Sequence, residues 1–311
     1  MIESRVHVNH FVVTAFLALA GCSSFIESRA ASSTYRILQH GNAAARRLSD
    51  IELARSAAAS GIVQMATFAD AYPQHRGFRE LHADAVCQYA IGFVFDDWEA
   101  ASLSDRAEDA RRIADRLERL LATCIDLNLA LLPPPWRAAL DDTARWEAML
   151  PSVQREHVPF LLHIASAEAV RVAVSPITAG LRRLQRATAT LARCTEVAPG
   201  FRDAEGELLL GSLRAATSRF LGGPDGEAQF AAARRVLGSS AIAVDVIYAR
   251  SIAVARKDRQ LFLRLLDGAL AADLSRWPDR RLPNEMARIK AQRYRAAVDA
   301  LIPAPSNPPS R

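Results

Sequence analysis

Apolar residues recur at helical spacing through most of this chain, and each run ends at a turn residue. Ile51, Ala54, Ala58, Ile62, Met65, Phe68 and Tyr72 fall on one helix face, and Pro73 stops them. Phe78, Leu81, Ala85, Val86, Tyr89, Ala90, Phe93 and Val94 repeat the design. A third run carries Ala110, Ile113, Ala114, Leu117, Leu120, Leu121 and Cys124, with Ser104 as its expected cap and Pro133-Pro134-Pro135 as its end. Helices of some twenty residues or more on short connectors pack as antiparallel neighbours. Half the residues are hydrophobic and only 7% are aromatic. That alanine-rich, leucine-rich balance suits closely packed helices. The pattern predicts an all-α fold.

Pro151 and Pro159 interrupt the middle of the chain, where residues 136–174 read as two shorter helices. Ser175 to Val197 resumes a long amphipathic stretch that ends in Val197-Ala198-Pro199-Gly200-Phe201. Helix, proline, helix is similar to the tetratricopeptide repeat. Ala187, Leu191 and Cys194 fall on its small and large packing positions, as do Gly211, Phe230 and Ala233 in the following unit. The expected architecture is an array of antiparallel helix hairpins over residues 35–301, a TPR-like α-solenoid. Ile242, Val244, Val246 and Tyr248 also alternate like a strand, but a lone strand has no partner, so a buried helix is expected there. Four prolines mark residues 302–311 as a disordered tail.

Near the N-terminus, Phe11 to Ala20 is almost wholly apolar and leads into Leu19-Ala20-Gly21-Cys22. Ten apolar residues are too few for a bilayer core that needs about twenty, so the segment reads as a signal peptide. Its ending resembles the bacterial lipobox. Residues 1–21 would then be a lipoprotein signal peptide, Cys22 the lipidated anchor, and residues 22–34 a tether. The expected location is the periplasm, lipid-anchored to the membrane. Ser23 in place of a retention-type aspartate leans towards the outer membrane.

Outside the inner membrane a protein meets no ATP pool and no chromosome, so no nucleic acid partner follows from the basic balance. Lys257 and Lys290 are the only lysines among 39 basic residues. The arginines are interleaved with acids, as in Arg106, Glu108, Asp109, Arg111 and Arg112, which describes a solvated helix face. After lipidation three cysteines remain, Cys87, Cys124 and Cys194, and each is expected as a small core residue. With the turn placed near Ala101, Cys87 and Cys124 differ in height by roughly 13 Å at about 1.5 Å per residue, which argues against a bridge between them.

The motifs of catalysis are missing. No glycine-rich loop with Lys-Ser or Lys-Thr offers a phosphate cradle, and no serine sits in a nucleophile elbow. His75 and His82 are seven apart, and His157 and His163 six apart. Neither pair has the i,i+4 spacing of a helix-borne zinc site. Asp96 and Asp97 form the densest acidic cluster but read as a solvated helix end. No cofactor, metal or enzymatic activity is expected.

Several segments together resemble the T-component of TRAP transporters, the tripartite ATP-independent periplasmic systems. They are Tyr89-Ala90-Ile91-Gly92-Phe93-Val94-Phe95-Asp96-Asp97, Arg193 to Phe201, Val246 to Arg250 with Asp258 to Phe262, and Leu282 to Ala291. The resemblance implies a lipid-anchored helical accessory protein, a homotrimer that binds the substrate-binding P-component and is not an enzyme. A small ligand between helices is also part of that expectation. The alternative is a helical-repeat lipoprotein scaffold for envelope assembly with no transport role. Tyr89, Phe93, Asp96 and Tyr248 are the candidate ligand or partner residues because they lie in the family-like segments.

Overall fold

The computed structural model describes residues 29–303 except 42, 105, 175, 176 and 241. The expected signal peptide, its expected anchor Cys22 and residues 304–311 of the expected tail lie outside the described residues. The structure is 86% helical with no strand among the described residues, as the periodicity demands.

Helix α1 occupies residues 29–41. Its Ala31 is buried against Phe78, with Tyr35, Phe68 and Tyr72 packed around them. Helix α1 thus takes in residues 29–34 of the segment expected to be tether. Helix α2 (Ile51–Ala71) opens on an Asp50 side chain that accepts from the Leu53 amide, and it closes at Tyr72 just before Pro73. Helix α3 (Arg76–Tyr89) runs through one π-helical turn, Ala90–Val94, into α4 (Phe95–Leu103). Helix α5 (Ala107–Leu129) then returns alongside both.

Ser104 does not cap α5. Its hydroxyl instead donates back to the Ala100 carbonyl, 2.6 Å away, at the end of α4. The turn thus falls after Leu103, later than the sequence suggested. Cys87 then lies sixteen residues before the end of α4, and Cys124 seventeen after the start of α5. The two positions come level, and Cys87–Cys124 is a disulfide with Cα atoms 5.1 Å apart. Both the argument against this bridge and the reading of these two residues as unbonded core cysteines are corrected. Cys194 is a free buried thiol, and burial pushes its pKa up to about 12.

The middle holds three helices where two were expected: α6 (Pro134–Ala139), α7 (Thr143–Met149) and α8 (Val158–Val174). Pro159 does not break α8, because it sits in the first turn, where no amide donor is needed. Trp136 and Trp146 meet edge to face at 4.9 Å, and Trp146 Nε1 donates to Thr190 Oγ1. The segment Arg155–Val174 is long and apolar enough by composition to cross a membrane, yet 67% of that window is buried inside the fold. It is the central core helix, packed between α5 and α9 (Ile177–Val197).

Helices α10 (Phe201–Leu221) and α11 (Glu227–Leu237) form the next pair. Ala187, Leu191, Phe230 and Ala233 are wholly buried, at the packing positions the repeat pattern assigned. Gly226 has φ +90°, and a Cβ there would collide with the Gly211 carbonyl oxygen. Gly226→Ala is therefore expected to lower stability by about 3 kcal/mol, through left-handed strain plus a backbone clash. Urea unfolding measures this, and an unchanged midpoint would contradict so close an approach.

From Ile242 the ambiguous segment is helical: α12 (Ile242–Tyr248), a second π turn at Ala249–Ala253, and α13 (Val254–Arg256). Both π turns begin on the alanine of a Tyr-Ala pair, Tyr89-Ala90 and Tyr248-Ala249. Helices α14 (Arg259–Ala271), α15 (Arg281–Ala296) and α16 (Val298–Leu301) complete the body. Ile302, placed by sequence in the tail, is buried, and its carbonyl accepts from Arg259. The two ends of the body are joined. Helix α15 packs on α2, the Leu282 amide donates to the Arg46 carbonyl at 2.9 Å, and Arg293 pairs with Asp96.

Candidate functional site

Arg76, Glu80 and Asp84 follow one another at four-residue intervals, which lines them up along one face of α3. That face forms one side of a cleft of about 670 Å³. Helix α1 contributes Tyr35 and Gln39, α8 contributes Phe160 and His163, and the start of α10 contributes Phe201 and Arg202.

The floor is polar and buried. Asn128 on α5 donates through Nδ2 to the Cys124 carbonyl at 2.8 Å and to Cys87 Sγ at 3.2 Å. Its Oδ1 lies 3.3 Å from His163 Nδ1, and His163 Nε2 lies 3.3 Å from Asp84 Oδ1. Arg202 closes the chain by donating to Asp84 and lying against His163 Nε2. Burial alone would raise the Asp84 pKa. The His163 hydrogen bond and the Arg202 charge outweigh it and hold the carboxyl well below the usual range. Asp84 is thus a fixed negative charge at any physiological pH.

Arg202 reaches the floor from an unusual backbone. Gly200 is left-handed at φ +72°, and Arg202, Asp203 and Ala204 have φ of 49°, 60° and 59°. Each such non-glycine residue costs about 1–2 kcal/mol, so the surroundings must hold the turn in place. They do so from both sides: Arg202 is tied to Asp84 and His163, while Asp203 is tied to Arg46 and Arg280. The Gly200 amide also donates to the buried Glu207 carboxylate at 2.7 Å.

The four sequence candidates lie elsewhere, and none lines the cleft. Tyr89 and Phe93 sit at the first π turn with ring centroids 6.0 Å apart. The Tyr89 hydroxyl accepts from Arg116, and Arg55 lies over the Phe93 ring. Asp96 pairs with Arg293 at 2.6 Å and Lys290 at 2.8 Å. Burial opposes ionisation of Asp96, but those two cations lower its pKa. Asp97 accepts from both terminal guanidinium nitrogens of Arg55, so this acidic cluster is an internal tie. Tyr248 is in a separate cluster with Phe230, and its hydroxyl donates to Glu227 at 2.6 Å. Burial and the Glu227 charge push that phenol up to about 12.

Comparison with known families decides the wider setting. The model of the TRAP transporter T-component family matches residues 47–301, nearly the whole described body. The chain belongs to this family. No curated protein sequence matches it. TRAP T-components are transporter accessories and not an enzyme family, and membership associates this chain with a TRAP transport system. It also points to a membrane-associated, periplasmic location. Sequence reading missed Asp84, Asn128 and Arg202 as site residues, and it weighed His163 only as half of a metal pair. Their shared place depends on contacts up to 118 residues apart.

Proposed function

We propose that this T-component is anchored by lipidated Cys22 and docks the substrate-binding P-component of its TRAP system, with the helix hairpins serving as a TPR-like docking surface. The family match over residues 47–301 carries this reading. Physical features support it. Acyl chains contribute about 0.8 kcal/mol per buried methylene, so several chains hold the body at the bilayer. Confinement there raises the effective concentration of a modest docking surface. A homotrimer would multiply that surface threefold, and the cleft beside α1 offers a place for a small ligand in transit. The test is affinity capture of the membrane-anchored protein followed by identification of bound P-component, with and without its solute. Enrichment in either state is expected. Absence in both would overturn the docking role.

A further inference from the structure

The charges lining the cleft are of both signs. Glu80, Asp84 and Glu156 are acidic, while Arg76 and Arg202 are permanently basic. A simple anion entering the cleft faces three carboxylates, and a simple cation faces two guanidinium groups. A ligand carrying one charge of each sign can pair with both sets.

The floor charges are already committed to one another through Asp84, His163 and Arg202. At the rim, Arg76 gives Nε to Glu80 at 2.8 Å and stays 55% exposed, and Glu156 makes no ion pair among the described residues. These two come from different elements: Arg76 starts α3, and Glu156 lies in the 3-10 turn Arg155–His157 that leads into α8. The walls between them are apolar or aromatic, with Leu81, Pro159, Phe160 and Phe201. Arg76 lies 5.4 Å from the Phe160 ring centroid, and Arg202 lies 5.7 Å from that of Phe201. Arg76 is thereby braced on a ring, which orients its exposed edge for a carboxylate.

We infer that the cleft binds a small zwitterion with an apolar substituent, of the α-amino acid class. Arg76 takes its carboxylate, Glu156 takes its ammonium, and the Phe160 and Phe201 rings receive the side chain. This deepens the proposed accessory role by giving the ligand a chemical class, and it rests on that reading of the cleft.

Calorimetric titration of the full-length protein in nanodiscs tests it with three probes: L-phenylalanine, 3-phenylpropionate and phenethylamine. The amino acid is expected to bind, with each single-charge analogue weaker by about tenfold or more. Arg76→Gln and Glu156→Gln, both at the rim, are each expected to weaken L-phenylalanine by a similar factor. Circular dichroism confirms that each variant is folded. Equal binding of an analogue, no binding of L-phenylalanine, or unchanged binding by both folded variants would overturn the inference. Failed P-component capture together with intact titration would sink only the docking role. A flat titration with intact capture would sink only this inference.

Discussion

Replacing Cys87 and Cys124 together by alanine is expected to lower the unfolding free energy by about 4 kcal/mol, as loop-closure entropy predicts for a 37-residue separation. The bridge ties α3 to α5 at a point where both residues are fully buried. It also touches the cleft. Asn128 donates to Cys87 Sγ and bonds His163, so loss of the sulfur removes one support from the floor. Urea unfolding of the double variant against the oxidised wild type measures the effect. Reduction of the wild type should shift the midpoint in the same direction. An unchanged midpoint in both experiments would mean that the crosslink is absent in solution.

Glu168→Ala is expected to destabilise the protein by about 3–5 kcal/mol, because it strands a buried cation. Glu168 is 2% exposed and sits on α8, where it accepts from Arg186 of α9 at 2.7 Å. Arg171 lies 3.6 Å and Arg183 4.0 Å from the same carboxylate. Arg186 would keep its contacts to the Leu140 carbonyl and the Trp146 ring but would lose its only carboxylate partner among the described residues. Replacing both partners by apolar residues, Glu168→Leu with Arg186→Met, should recover much of the loss, since the two desolvation terms vanish together. Chemical denaturation of the single and double variants separates these terms. A loss below about 1 kcal/mol for Glu168→Ala would place the pair in solvent rather than in the interface.

Local pattern and long-range contact divide what the sequence could reveal. Alternation at 3.6 residues located α2 and α5 because each has one apolar face and a solvated one. Repeat-like offsets pointed to Ala187, Leu191, Phe230 and Ala233 as packing residues, and all four are buried. Turn position was harder to read. Ser104 fits a helix start, yet it donates backward to Ala100, and those few residues decide whether Cys87 and Cys124 come level.

The cleft was the least legible part. Its face on α3 is a charged row that looks like any solvated helix surface until α8 and α10 close over it. Arg202 arrives there on a left-handed turn for which only Gly200 gives a sequence hint. By contrast, Tyr89, Phe93, Asp96 and Tyr248 stood out by family likeness, and in the fold each makes an intramolecular contact.

Solute uptake by the associated TRAP system, measured with labelled substrate in cells lacking this chain, tests the transport role most directly. The account predicts that uptake falls without the chain, returns with the wild-type protein, and returns only weakly with Cys22→Ala. Full uptake in its absence would contradict it.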